Sequence, residues 1–441
     1  MVFIRSSQKF LSSLLNHRFF LPSCFMLAFI IRIIYIMFIT TIPDVADSKW
    51  YYDRALSIIN GNGVATDGKL TAYWPVGYAF FLAGLFKVFG TSVFLAKLAN
   101  IIMYLLSMFF VYKIAKISFN QESIARASIL VMALYPNHIA YSAELMSEIL
   151  FTFLFLAGIY RLISFKQTVT NIIISGMIFG AATLVKSQVL FIPGLLLICI
   201  FFPLYKEQKR RFFTSIIKYG FICYAGLFLV VAPWTYRNYV VFDTFILVNS
   251  NGGFNLYLGH SPEVKTQFGL PLAPPEVLNS YGQQVAQDEI AADNAMREVA
   301  ISAIKQNPFA SIKQIPHKIK DMWLMDVDGG RLNEREMFNI GDATKRFFYY
   351  FKIGSQAYYI LILLGFAGFL WSMLRKKFAL QSIQLIGLIS ISYFTIISMV
   401  FHGESRYHFP LMPLVIFNAC AGIFYLLFPK ANSQTSPEQQ V

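Results

Sequence analysis

Two carboxylates stand where a chain of this kind can least easily keep them. Asp47 lies in "IPDVADSKWYYDRALSIINGNG" (42–63), which follows directly on a long apolar run. Glu148, in "YSAELMSEILFTFLF", is followed at once by Ile149, Leu150 and Phe151. An ionisable group at the rim of an apolar layer is costly and usually marks a site. Three cations share the setting: Lys186 in "AATLVKSQVLFIPG", Arg237 in "APWTYRNYVVF" and Arg406 in "FHGESRYHFPLMP". Acids can accept a proton from a nucleophile, and lysine and arginine hold phosphate through charge-assisted hydrogen bonds. The combination suggests a pocket for an anionic lipid headgroup. A plainer reading stays open, because an acid in a helix's first turn is favoured by the helix dipole and an arginine at a span end can snorkel to headgroups.

Further side chains cluster near these. If a helix begins around Asp47, Tyr51 and Ala55 share one face of it while Asp53 points elsewhere. Glu144 lies one helical turn before Glu148, and His402, Glu404 and His408 surround Arg406. Asp47 and Glu148 are the candidate catalytic pair. Lys186, Arg237 and Arg406 are the candidate phosphate ligands, and Tyr51, Glu144, His402 and Glu404 the candidate substrate contacts. Arg32 and Lys97 read as paired charges inside apolar spans. "MDVDGG" places Asp326 and Asp328 in a pattern that arises often by chance, and no metal or other cofactor is expected there or elsewhere.

The elements that must position these groups are membrane helices. Of 441 residues, 56% are hydrophobic and only 14% charged, against about a quarter charged in soluble domains. Apolar windows of roughly 20 residues place spans at about 20–42, 92–115, 123–141, 147–165, 171–185, 187–204, 215–234, 355–374, 379–401 and 411–428. The net charge of +14 gathers between spans, at Arg5, Lys9 and Arg18, at Lys206, Lys209, Arg210 and Arg211, and at Arg375, Lys376 and Lys377. That distribution fits cytoplasmic loops under the positive-inside rule and excludes a nucleic-acid stripe. The first apolar run reads as a retained helix, since it lacks a small-residue cleavage site. Cys24, Cys199, Cys223 and Cys420 all sit in apolar runs, so they read as small core residues.

The fold class is therefore mostly α, a multi-spanning membrane protein of about ten helices. Residues 1–234 form an N-terminal transmembrane catalytic module that includes the outer loop 43–91. Residues 235–350 form an extracytoplasmic segment of mixed structure, 351–430 the C-terminal transmembrane helices, and 431–441 a cytoplasmic tail. "YWPVGYAFFLAGLFKVFG" (73–90) reads as an interfacial helix, 276–307 as helical, and "NSNGGFNLYLGHSP" as turns.

The order of these motifs resembles the GT-C membrane glycosyltransferases that use polyprenyl-phosphate-linked sugars. The likeness is to bacterial relatives of protein O-mannosyltransferases and of the lipid A aminoarabinose transferase, in glycosyltransferase family 39. It rests on Asp47-x-x-x-Tyr51-x-x-x-Ala55 followed by "NGNG", then on "YWPVGYAFFLAGLFKVFG", "YPNHIAYSAELMSEILF", "APWTYRNYVVF", "NGGFNLYLGHSP" and "ESRYHFPLMP". It covers residues 30 to 425. The resemblance implies that Asp47 is the catalytic base and Glu148 the second outer acid. The chain departs from the aminoarabinose enzymes in having Tyr73 and Trp74, not lysine, before Pro75, and from eukaryotic mannosyltransferases in having Ser48 after Asp47.

The expected function is transfer of a sugar from a polyprenyl-phosphate donor to a lipid, glycan or protein acceptor, with inversion. The expected place is the extracytoplasmic face of the plasma membrane, with both termini cytoplasmic and no nucleic-acid partner. A flippase or transporter of lipid-linked glycans is the alternative, as is a polymerase or ligase of surface polysaccharide. A transporter would account for Arg32 and Lys97, but the repeated halves common in transporters are not seen.

Overall fold

The computed structural model describes residues 13–427 apart from 42, 45, 165, 268–269, 338–339 and 376–381. Arg5, Lys9, Lys376, Lys377 and the tail 431–441 lie outside the described residues. Helices lie in all the stretches where the sequence predicts a span, and that of 123–141 ends at Leu134. They are α1 (Phe20–Phe38), α4 (Val93–Phe119), α5 (Glu122–Leu134), α7 (Ser147–Ser164), α8 (Val169–Val185), α9 (Ile192–Glu207), α10 (Lys209–Phe242), α17 (Asp342–Leu374), α18 (Ser382–Val400) and α19 (Met412–Leu427). Among the described residues, eight helices are long and apolar enough to cross a membrane, while α5 and α8 are shorter. The protein is a mostly α, multi-pass membrane protein.

Two local devices hold the bundle together. Gly176 and Gly226 let α8 and α10 cross with backbones touching: a Cβ at Gly176 would fall 2.0 Å from the Cys223 carbonyl oxygen, and one at Gly226 2.3 Å from that of Ile173. Small residues at such a crossing allow the close packing that drives helix association in lipid. The second device answers a proline. Pro136 opens the short α6 (Pro136–Tyr141) and has no N–H for the Met132 carbonyl, and the backbone turns extended at Tyr135, so the last carbonyls of α5 are open to other donors. Arg32, fully buried on α1, donates from Nη1 to the Ala133 oxygen at 3.0 Å and from Nη2 to that of Met132 at 3.4 Å, with its guanidinium 3.8 Å from the Tyr104 ring centroid. Lys97 donates to the carbonyl and hydroxyl of Thr41 at 3.0 and 2.8 Å. Among the described residues neither is in an ion pair, so the expected pairing of these charges is corrected: backbone and hydroxyl oxygens satisfy them, with Glu144 and Glu336 within electrostatic reach of Lys97.

The first long loop carries α2 (Ala46–Ile59) and α3 (Gly77–Phe89), packed on each other around a short hairpin at 65–70. Tyr51 and Ala55 share the buried face of α2, as their spacing predicts. The second long segment between spans runs from 243 to 341, because α10 and α17 extend well beyond their apolar cores. It holds α11 (Gly252–His260), α12 (Pro275–Gln287), α13 (Glu289–Gln306), α14 (Pro308–Lys313), α15 (Ile315–Trp323) and α16 (Asp328–Glu336). The helical reading of 276–307 is correct apart from a break at Asp288, whose side chain caps α13. "NGGFNLYLGHSP" is not a run of turns but helix α11. Asp293 accepts from the N–H groups of Gly253 and Phe254 at 2.9 and 3.0 Å, capping α11 from outside, and only glycine at 253 permits that approach. Glu289 fastens these two segments together, accepting from Thr71 Oγ1 at 2.5 Å, Ala72 N at 2.8 Å and Ser250 Oγ at 3.0 Å.

Candidate active site

Asp47 falls in the first turn of α2, where a carboxylate is favoured by the helix dipole and stays partly exposed. Arg406 reaches it from the 3-10 turn Ser405–Leu411 that precedes α19, and Nη1 pairs with Asp47 Oδ2. The same guanidinium places Nε 2.8 Å from Glu404 Oε1. Burial pushes Glu404 above the ordinary carboxylate range, an effect that Arg406 opposes. Glu148 opens α7 and is fully buried. Its Oε1 accepts from Lys186 Nζ at 3.0 Å, while its Oε2 has no protein partner. Lys186 is delivered by the break between α8 and the following 3-10 turn, which explains a lysine between two apolar runs.

Tyr51 joins the two carboxylates. It lies buried edge-on to Trp50 and Tyr78, shares a hydrogen bond with Ser147, and sits within electrostatic reach of Asp47, Glu148 and Arg406. Burial, then Asp47, holds its phenol protonated. Asp47 and Glu148, 101 positions apart in the chain, therefore meet at one end of the bundle, each held by a cation. Arg237 stands apart from them. It donates to the carbonyls of Thr71 and Val64 at 3.1 and 3.3 Å and lies over the Trp234 ring, so it ties the first loop to α10. His402 is buried between the Asn255 carbonyl at 3.2 Å and the Tyr407 hydroxyl at 2.8 Å, and burial pushes its pKa down to about 4.

Glu144 sits behind α2 and does not face Glu148's lysine. It forms a buried carboxyl pair with Glu336 of α16, a residue that nothing in its polar helix singles out by sequence. Asn333 donates to Glu144, Ser48 donates to Glu336, and Tyr35 donates to Asn333 at 2.6 Å. Because Ser48 adjoins Asp47, this network fixes the start of α2 and with it the carboxylate. Burial, then the Glu336 carboxylate, pushes Glu144 well above the ordinary range, and burial raises Glu336 too. The folded state thus keeps a proton that the unfolded chain releases near 4.5. Its stability must fall as pH rises above that value, since the native state then binds more protons than the unfolded one. Thermal midpoints across this range should show the fall, and Glu144→Gln should flatten it.

Asp326 and Asp328 have structural partners. Asp326 accepts from Tyr135 and Asn137 and lies 3.1 Å from His408 Nε2, while Asp328 pairs with Arg331 in the first turn of α16. These contacts pin α6, α16 and the Ser405–Leu411 turn together behind Arg406.

A family model described as dolichyl-phosphate-mannose-protein mannosyltransferase matches residues 74–236. That stretch holds Glu148 and Lys186 but neither Asp47 nor Arg406. Among solved structures, the apo oligosaccharyltransferase of Archaeoglobus fulgidus aligns over 93% of this chain with a TM-score of 0.52 and 12% identity. Its fold is similar to that of this archaeal oligosaccharyltransferase. The chain spans about half of the archaeal one, 51%. The same archaeal enzyme, tethered by a disulfide to an acceptor peptide with the NVT sequon, aligns over 93% of this chain and 50% of its own, with a TM-score of 0.50 and 14% identity. ArnT from Cupriavidus metallidurans bound to undecaprenyl phosphate aligns over 96% of this chain and 81% of its own, with a TM-score of 0.44 and 11% identity. No curated protein sequence matches this chain.

Proposed function

We propose that this chain is an integral membrane glycosyltransferase that moves a sugar from a polyprenyl-phosphate-linked donor to an acceptor, at the extracytoplasmic face of the plasma membrane. The observation that carries the proposal is the meeting of Asp47–Arg406 and Glu148–Lys186 around Tyr51, at one end of a GT-C bundle. The mannosyltransferase family match, which includes Glu148 and Lys186, supports a lipid-phosphate donor. A donor with a long hydrocarbon tail also gives a reason for placing the chemistry at the end of a membrane bundle.

The steps balance as a single displacement. The acceptor's oxygen attacks the anomeric carbon, Asp47 takes its proton, and the bond from that carbon to the phosphate oxygen breaks with its electron pair. Arg406 and Lys186 neutralise the departing phosphate, an electrostatic contribution worth several kcal/mol. Both cations sit on carboxylates in this structure. A phosphate that draws Arg406 towards itself leaves Asp47 Oδ2 free for the acceptor's proton, so donor binding readies the base. Glu148 Oε2, buried without a protein partner, positions the acceptor. Attack opposite the leaving phosphate inverts the anomeric configuration. Two side-chain cations serve one phosphate, and no cofactor enters the proposal.

The transporter reading loses its main support. Arg32 and Lys97 are consumed by oxygens of the first loop and of the α5–α6 bend, so they line no path. The deciding experiment uses purified protein in nanodiscs, with no gradient, and a labelled polyprenyl-phosphate monosaccharide. We expect acceptor-dependent loss of the label from the donor and release of polyprenyl phosphate. A donor that stays intact with every class of acceptor, yet crosses the bilayer in sealed vesicles, would establish transport instead.

A further inference from the structure

A cavity of about 340 Å³ opens on the far side of the Glu404–Arg406 segment, between α11, α15 and residues 401–403. Gly259, His317, Lys318, Lys320, His402 and Gly403 contribute to its wall. Glycine makes this convergence feasible: a Cβ at Gly259 would fall 1.7 Å from the Phe401 oxygen, and one at Gly403 1.9 Å from that of Lys318. The cavity is separate from the carboxylate pairs, but His402 forms its wall and hydrogen-bonds Tyr407, the neighbour of Arg406.

Lys318 is the unusual member. Only 5% of it is exposed, and no carboxylate of the described residues pairs with it. Its Nζ donates to the Met399 carbonyl at 3.1 Å and lies 3.3 Å from His260 Nε2. That ring nitrogen is 2.7 Å from the Val400 carbonyl, to which it must donate, so it cannot accept from Lys318. The ammonium therefore has three protons and one acceptor. Burial pushes its pKa down to about 8, so it remains charged at neutral pH. A buried charge left uncompensated is expensive, and here it borders a cavity whose wall also carries Lys320 and His317. Asp321 also lies on that wall and is engaged in a contact of its own.

We propose that this cavity is a binding site for a phosphate group, with Lys318 as its principal ligand and Lys320 and His317 at its mouth. An oxyanion there supplies the two acceptors that the ammonium lacks and balances its charge. The phosphate could be free or carried on a lipid headgroup, since α15 packs beside the end of α18, with Trp323 Nε1 donating to Thr395 Oγ1 at 3.2 Å. The site goes beyond the transferase reading, and its test needs no sugar transfer.

The test measures thermal midpoints of the full chain in phosphatidylcholine nanodiscs at neutral pH, titrated with inorganic phosphate at constant ionic strength. Phosphate should raise the wild-type midpoint in a saturable way. Lys318→Met should remove the rise, and without phosphate it should be at least as stable as wild type, because an unbalanced buried charge has gone. Lys320→Gln, at the exposed mouth, should weaken the apparent phosphate affinity about tenfold or less, which keeps the test decisive if the buried variant does not fold. A second arm replaces part of the phosphatidylcholine with phosphatidylglycerol. If that lipid raises the midpoint and abolishes the further effect of phosphate, the natural ligand is a headgroup; if phosphate still acts in full, it is soluble. An absent phosphate effect in wild type, or one that is unchanged in both variants, overturns the proposal.

Discussion

Asp47→Asn should lower turnover by about 10²–10⁴-fold, the range that a positioned general base contributes, while leaving the donor's KM nearly unchanged. The asparagine oxygen still accepts from Arg406, and Arg406 keeps Glu404, so the first turn of α2 and the phosphate ligands stay in place. What is lost is an acceptor for the nucleophile's proton. Initial rates with a labelled lipid donor, measured beside a thermal midpoint, separate the two effects. Wild-type turnover in a folded Asp47→Asn protein would remove Asp47 from the mechanism, and a collapse of the midpoint would make its role structural.

The second large effect belongs to Lys186. Lys186→Met leaves Glu148 fully buried with no cation, and breaking a buried pair from one side costs about 3–5 kcal/mol. The double variant Lys186→Met with Glu148→Gln should recover most of that stability, because no uncompensated charge remains. It should not recover transfer, since both the phosphate ligand and the acceptor contact are gone. Chemical or thermal unfolding in detergent gives the first result and the donor assay the second. Additive losses of stability would show that the two side chains do not act as a pair.

Much of the architecture could be read from the chain because membrane spans are written as long apolar runs, and the ends of those runs fix which groups share a face. That logic placed Asp47, Glu148, Lys186 and Arg406 at one end of the bundle, where the structure brings them together. It failed where partners come from polar segments. Glu336 looks like one more charge in "DGGRLNERE", yet it closes the network that anchors Ser48. Arg237 has the same span-end position as Arg406, but its donors are taken by the carbonyls of Thr71 and Val64, which no spacing rule foretells. "NSNGGF" offers turn residues, and only the distant Asp293 carboxylate makes them the start of a helix. Asp326 and Asp328 carry a motif whose carboxylates are taken up otherwise, Asp326 by tertiary hydrogen bonds and Asp328 by the neighbouring Arg331.

The arrangement at Pro136 ties together two residues that lie far apart in the chain. Taken singly, a proline in an apolar helix and a guanidinium in hydrocarbon are both defects. Here they meet at one bend, where Arg32 donates to the Met132 and Ala133 carbonyls and the Tyr104 hydroxyl donates to Met132 as well. Trimming the arginine would take a donor from the Ala133 oxygen, while the Met132 oxygen would keep Tyr104 at 2.7 Å. A change at position 32 is therefore felt first at Ala133, and Tyr104 carries the bend through it.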